Sequence, residues 1–177
     1  MKIGLVRHFK VDCPHKGLYS GEQFDKWSYE YDYSEVFKKK VDLKGIDWET
    51  CYSSDLKRAI ETAQYAYGGE ITMSPLLREV PANKFTNKNI KLPVDLWLLM
   101  ARQSWKKSSS FQKETYQDTI NRIDEIFTEI IKSNRNTLVF CHGFLILQIR
   151  KYLLSKGFKG NRIIKAQNGK MYLFEKE

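Results

Sequence analysis

The chain has 177 residues, of which 42% are hydrophobic and 14% aromatic, and a formal net charge of +9. That length suits one domain, 1–177, able to bury a core without disulfides or metals as staples, and the composition excludes a disordered chain. The positive surplus is spread out, its longest run being Lys38-Lys39-Lys40, which reads as a solvated surface that could also steer an anionic substrate. No nucleic-acid-binding module accompanies it.

The three cysteines, Cys13, Cys51 and Cys141, are odd in number and form no C-x-x-C pair. A disulfide scaffold is excluded and a reducing cytoplasm fits. The first residues hold no apolar stretch long enough for a signal peptide. No run approaches the ~20 apolar residues that span a bilayer. The expectation is a cytoplasmic protein with no membrane partner.

In chain order, Lys2 to Val6 reads as a short buried strand. Residues 9–35, with Pro14, Gly17, Gly21 and many tyrosines, read as a long loop with some helix. Within it Trp27, Tyr29, Tyr31 and Tyr33 are expected to pack, with a lid over a substrate as the alternative. Thr50 to Ser53 reads as a second strand. From Asp55 the apolar spacing Leu56, Ile60, Ala63, Tyr67 turns helical, with Ser53 or Ser54 as cap and Gly68-Gly69 as stop. Glu70 to Met73 reads as another strand. Pro93 is expected to begin a helix through Ala101.

Ser108 to Ser110 reads as a loop, followed by the clearest helix, 113–132. There Tyr116, Ile120, Ile123, Phe127 and Ile130 make one apolar stripe. Thr137 to Cys141 is a compact strand. Leu145, Ile149, Tyr152 and Leu153 mark a helix ending near Gly157. Asn168-Gly169 predicts the turn of a final hairpin. Strands alternating with helices predict a three-layer α/β/α sandwich with a largely parallel central sheet.

Two apolar strands run straight into a histidine: Ile3-Gly-Leu-Val-Arg7-His8 and Leu138-Val-Phe-Cys-His142-Gly143. In a parallel α/β sheet the ligand site lies outside the carboxyl ends of the strands, where both histidines belong. Arg7 at such a strand end is costly unless it meets an anion. Either a buried carboxylate or a substrate phosphate would serve, and the latter suits the guanidinium fork. Arg58 falls in the first turn of a helix, where a cation opposes the helix dipole, so a bound anion would explain it. Gly143 leaves the backbone after His142 open to close approach.

Other motifs carry less. Cys13-Pro-His15 lacks the ligands of a zinc site. Cys141 should point away from His142's side of its strand and reads as a buried structural thiol.

These segments resemble the histidine phosphatase superfamily, also called phosphoglycerate mutase-like. Leu5-Val6-Arg7-His8 is similar to its Arg-His-Gly signature. Residues 53–63, Ser-Ser-Asp-Leu-Lys-Arg-Ala-Ile-Glu-Thr-Ala, are similar to its Ser-x-Leu-x-Arg-Ala-x-x-Thr-Ala motif. Leu77-Arg78-Glu79 resembles the segment carrying its acid, and Val139 to Gly143 its last motif. All stand in the family's order.

The resemblance implies that His8 attacks phosphorus and carries a transient phosphohistidine. Arg7, Arg58 and His142, with Gly143, would surround the phosphoryl oxygens, and Glu79 would protonate the leaving oxygen and then help activate water. It implies a small phosphorylated substrate, no cofactor and no metal, because arginines supply the charge. A phosphomonoester phosphatase is the expected activity. A phosphoglycerate-type phosphomutase, a phosphohistidine-protein phosphatase and a non-catalytic phosphate-binding module are the alternatives. The short span between Glu79 and His142 favours hydrolysis over mutase action. Phe9 departs from the pattern, standing where the family has glycine; its ring would crowd the pocket or line the substrate site.

Overall fold

A computed structural model describes residues 1–177. Its centre is a six-stranded sheet, built of β1 (Lys2–Arg7), β4 (Thr50–Ser54), β5 (Thr72–Ser74), β6 (Thr137–Cys141), β7 (Lys159–Gly160) and β8 (Met171–Glu175). The spatial order is β5-β4-β6-β1-β8-β7. The first four in that order run parallel, and β8 and β7 close the edge antiparallel. Two further strands, β2 (Lys10–Val11) and β3 (Val36–Phe37), pair with each other apart from it.

The alternation of β1 and β6 divides the core into two layers, because successive side chains leave a strand on opposite faces. Ile3, Leu5, Val139 and Cys141 face one layer, packed with Ile123, Phe127 and Ile130 of α4 (Tyr116–Ser133) and Leu145, Ile146, Ile149 and Leu153 of α5 (Gly143–Ser155). Val6, Leu138 and Phe140 face the other, with Ala63 of α2 (Lys57–Ala66), Val41 and Trp48. Helices therefore flank a mostly parallel sheet, and Cys141 is the buried thiol its strand position predicts. Burial pushes that thiol upward, and pushes Cys51 to about 12.

A third, smaller cluster lies between α1 (Gly21–Tyr33) and α3 (Val94–Lys106): Phe24, Trp27, Ala82, Val94, Trp97 and Ala101. The segment read as loop with some helix thus holds a helix of 13 residues, opened by a capping box between Ser20 and Gln23. Other boundaries shift for physical reasons. Helix α4 starts at Tyr116 rather than 113 because Thr115 and Asp118 cap each other's backbone. Helix α2 starts at Lys57 with no side-chain cap, since Ser54 is engaged elsewhere. Strand β5 starts two residues later than expected and ends one later, at Thr72–Ser74. The final hairpin exists, but ten residues, 161–170, separate β7 from β8. Asn168-Gly169 is not its tight turn and holds other backbone instead. No helix is long and apolar enough to cross a membrane.

Candidate active site

The parallel register of β1 and β6 pairs Arg7 with Cys141. The residues that follow, His8 and His142, therefore emerge together at the carboxyl edge of the sheet. The His8 amide donates to the Cys141 carbonyl at 3.0 Å, and the two imidazole centres lie 5.1 Å apart. Both side chains are buried, His8 at 2% exposure and His142 at 0%.

The His8 tautomer follows from its partner. Nδ1 lies 2.6 Å from the Phe9 carbonyl oxygen. A carbonyl only accepts, so Nδ1 carries the proton and Nε2 keeps a free lone pair. Burial, then Arg58, then Arg7, hold this imidazole well below the usual histidine value, against the smaller opposing pull of the Phe9 carbonyl. His8 is thus a neutral, oriented base with Nε2 as its reactive atom.

His142 is held otherwise. Its Nε2 lies 2.8 Å from Ser54 Oγ, and that hydroxyl already accepts the Leu56 amide at 3.3 Å. The hydroxyl hydrogen has no other acceptor, which makes His142 Nε2 the acceptor and leaves the proton on Nδ1. Nδ1 has no partner. Burial first, then Arg58, His8, Arg122 and Arg7, keep this ring neutral too.

Two arginines stand against the histidines. Arg7 Nη1 donates to the Ala166 carbonyl at 2.6 Å, and its guanidinium lies on Gly143, where a Cβ would come within 2.8 Å of Nε. The close approach expected at Gly143 is therefore that of Arg7. Arg58, only 3% exposed, pairs through Nη1 with Asp32 at 2.6 Å, and its guanidinium carbon sits 5.2 Å from the Tyr31 ring centre. The Nε atoms of both arginines are buried without partners.

Glu79 closes the group from the start of α5. Its Oε1 accepts from the Val80 and Leu145 amides and its Oε2 from the Phe144 amide, at 2.9–3.0 Å. The carboxylate thus satisfies two of the free N–H groups at a helix N-terminus, where anions are favoured.

These residues share one cavity of about 650 Å³, lined by Arg7, His8, Arg58, Glu79 and Gly143 among others. His142 does not line it, although its ring centre lies 5.1 Å from that of His8. No cluster of three or more His, Cys, Asp or Glu side chains is placed to hold a metal ion. The Cys13-Pro-His15 segment forms no such group, and His15 instead packs its edge on Trp27.

Phe9 neither crowds nor lines this cavity, contrary to expectation. Its ring is fully buried in the second core layer, edge-on to Tyr65. Its backbone points the other way: the amide donates to Thr62 Oγ1 at 2.9 Å and the carbonyl fixes His8. Of the aromatic stretch, buried Trp27, half-buried Tyr31 and the mostly exposed Tyr29 line the cavity, whereas Tyr33 is mostly exposed and does not.

Sequence reasoning did not single out Asp32 or Arg102 as site residues, named Tyr31 only within an aromatic stretch expected to pack with a lid as the alternative, and read Ser54 only as a cap. Arg102 lies over the Phe144 ring at 4.3 Å and donates to the Val80 carbonyl at 2.6 Å. No motif marks these residues. It also missed Asn168, whose Nδ2 donates to the His8 and Phe9 carbonyls at 2.9 and 3.1 Å, while the next amide, Gly169, donates to the Arg7 carbonyl at 2.8 Å. The Asn-Gly pair was visible in the sequence, but as a turn.

The two histidines and two arginines gather at the carboxyl edge of a mostly parallel sheet, the edge at which such sheets place their ligand sites. The chain belongs to the histidine phosphatase superfamily, branch 1, whose family model matches residues 36–177. That match begins after Arg7-His8, so these two join the site through the β1–β6 register rather than through the matched segment. A 2,3-bisphosphoglycerate-dependent phosphoglycerate mutase of Lachnoclostridium phytofermentans is 23% identical, covering 86% of this chain and 77% of that protein. A namesake from Thermoplasma acidophilum is 32% identical over 49% of this chain and 50% of that protein. Among solved structures, the alpha-ribazole phosphatase of Shigella flexneri superposes with a TM-score of 0.60 at 17% identity, covering 98% of this chain and 89% of that one. A mycobacterial glucosyl-3-phosphoglycerate phosphatase gives 0.55 at 18% identity, covering 87% and 79%. At these identities the two structures share the fold.

Proposed function

We propose that the chain is a phosphatase that hydrolyses phosphomonoesters through a phosphohistidine on His8. One observation carries this reading: His8 presents an unprotonated Nε2 to a cavity in which the Nε atoms of Arg7 and Arg58 are buried without an acceptor. Buried donors left unpaired are rare and costly, and the three oxygens of a phosphoryl group would satisfy them.

In the first step His8 Nε2 forms a bond to phosphorus as the ester P–O bond breaks. Arg7 and Arg58 offset the negative charge on the phosphoryl oxygens, while His142, which does not line the cavity, stands next to His8 with ring centres 5.1 Å apart. Glu79 delivers a proton to the leaving alcohol oxygen. Its Oε2 is the oxygen suited to this, since it accepts one amide while Oε1 accepts two. In the second step water attacks the phosphohistidine, Glu79 takes its proton, and inorganic phosphate leaves with His8 restored. The covalent intermediate divides one hard displacement into two easier ones. Arg7 and Arg58 supply the positive charge, so the reaction runs in one domain, 1–177, without an added metal. The free cysteines suit a reducing cytoplasm.

The test is hydrolysis of 4-nitrophenyl phosphate at mildly acidic pH. His8→Ala should abolish it, and a chelator should leave it unchanged. Acid-labile ³²P should be trapped on the wild-type chain. Undiminished hydrolysis by His8→Ala would refute the mechanism. The two mutase relatives favour a phosphomutase as the second reading. It would be recognised by phosphoryl transfer between positions of a bisphosphorylated sugar acid outpacing phosphate release.

A further inference from the structure

Beyond the phosphoryl end, the cavity has a second part with its own chemistry. Pockets of ~300–1,000 Å³ hold whole organic ligands, and this one, at about 650 Å³, extends far past what a phosphoryl group fills. Eleven of its 27 lining residues are hydrophobic, including Leu98 on α3 and Phe144 and Leu147 on α5. The leaving group therefore meets a mixed surface with a substantial apolar part.

The charges on this outer wall cancel. Setting aside Arg7 and Arg58, the wall carries four acids, Asp25, Asp32, Glu79 and Asp95. It also carries four bases, Arg78, Arg102, Lys113 and Lys165. Arg78 is already held by both carboxylate oxygens of Asp55, at 2.7 and 2.5 Å. Arg102 spends Nη1 on the Val80 and Pro81 carbonyls, with Phe144 beneath its face. Lys113 and Lys165 make no ion pair, and Asp25 and Asp95 of the same wall offset them, so the free charges leave no net surplus for a second anionic group on the substrate.

Two residues of the same wall hold buried polar atoms that lack partners. The chain has five buried side-chain nitrogen or oxygen atoms without a hydrogen bond; four belong to residues lining this cavity. Arg7 and Arg58 account for the phosphoryl end. The other two are Trp27 Nε1, a donor on a side chain 7% exposed, and Asn83 Oδ1, an acceptor. Asn83 is fixed from behind, its amide and carbonyl both engaged by the Gln112 side chain at 3.2 and 3.1 Å. A buried polar group without a partner calls for a ligand or a water that completes it.

We infer that Trp27 and Asn83 mark a leaving-group subsite, and that the substrate is the phosphomonoester of an uncharged, ring-bearing alcohol with a hydrogen-bond acceptor for the Trp27 N–H. The inference rests on the phosphatase reading for the word substrate, but the subsite itself is a matter of binding. It separates the chain from enzymes of phosphorylated acids, whose substrates carry a second negative charge into this region.

Calorimetric titration with non-hydrolysable phosphonates tests it, because binding is then free of leaving-group reactivity. The probes are 3-phosphonopropionate, which is small and carries a second anion, naphthylmethylphosphonate, which is neutral beyond the phosphonate, and its isostere quinolinylmethylphosphonate, which adds a ring nitrogen as acceptor. Naphthylmethylphosphonate should bind at least tenfold tighter than 3-phosphonopropionate. One of the quinoline isomers should gain about threefold to tenfold more, the net worth of one hydrogen bond. That gain should vanish in Trp27→Phe, which removes the N–H and keeps an aromatic ring. Equal or tighter binding of 3-phosphonopropionate would overturn the inference, as would a quinoline gain that is absent or survives in Trp27→Phe. If these results hold while 4-nitrophenyl phosphate is not turned over, the phosphatase reading fails and the subsite stands.

Discussion

Gly143→Ala should cripple the site while leaving the fold as stable as before. Gly143 is the first residue of α5 and its φ is not positive, so alanine meets no backbone strain there. A Gly to Ala change at a compatible position is neutral or stabilising by about 0.4–1 kcal/mol. The obstacle is Arg7. The added Cβ would lie 2.8 Å from its Nε and 2.9 Å from its guanidinium carbon, against 3.4 Å for ordinary contact. Relief requires Arg7 to retreat by about 0.6 Å, the difference between 3.4 and 2.8 Å. Its far end cannot slide freely, because Nη1 is held by the Ala166 carbonyl at 2.6 Å. A displacement approaching 1 Å in a catalytic array costs about 10²-fold in rate, so a loss of about 10- to 100-fold in kcat/KM is expected, or ~1.4–2.7 kcal/mol of transition-state stabilisation. The assay is 4-nitrophenyl phosphate hydrolysis beside a thermal melt. A kcat/KM within threefold of wild type would refute the reasoning, and so would a lowered Tm, which would point to general destabilisation.

Both buried histidines are held below their unfolded value of about 6.5, so below that pH the unfolded chain binds more protons than the folded one. Stability is full above pH ~6.5 and falls as the pH drops below it, by at most ~2.7 kcal/mol per pH unit for two groups. Melts from pH 8 to 5 should show the decline, and a curve unchanged in His8→Asn and His142→Asn would contradict it. Asn168→Asp keeps the shape but turns a donor on the His8 and Phe9 carbonyls into a repelling acceptor. It should lower kcat by roughly tenfold or more with KM nearly unchanged, and ¹⁵N spectra should show His8 losing its single tautomer; an unchanged spectrum and kcat would remove Asn168 from a positioning role. Phe9→Ala deletes a fully buried ring and should cost about 3–5 kcal/mol of stability, read by denaturant melts, while kcat at 25 °C stays within a few-fold of wild type because the carbonyl remains.

What the sequence made legible was whatever a strand's period and end dictate. Apolar runs ending in histidine marked β1 and β6, and the parallel sheet brought their ends together. Side-chain direction at irregular backbone was not legible. Ser54 looked like a helix cap, yet its hydroxyl serves His142. Asn168-Gly169 looked like a tight hairpin turn, yet it grips residues 7–9 across more than 150 residues of chain. Helix α1 was obscured because its buried positions, Gly21, Phe24 and Trp27, recur every third residue among charges and exposed tyrosines. The readable signal there was the Ser20-x-x-Gln23 capping box. The partnership of Asp32 with Arg58 spans 26 residues and two helices, and no local pattern encodes it.

Phe9 shows why a departure from a family motif can leave the chemistry intact. The site asks two things of residue 9: a carbonyl that accepts His8 Nδ1–H, and a backbone position within reach of Asn168. Both are backbone properties, which any residue supplies if its side chain has somewhere to go. Here it goes into the core layer that also holds Val6, Phe140 and Met171, where the ring adds apolar burial next to the strand end that carries the nucleophile. The close fit shows in Gly169, left-handed at φ +59°, where a Cβ would come within 3.1 Å of the Phe9 ring. The aromatic ring, the left-handed glycine and the Asn168 amide thus hold one short stretch of backbone from both sides, and that stretch fixes the tautomer of His8.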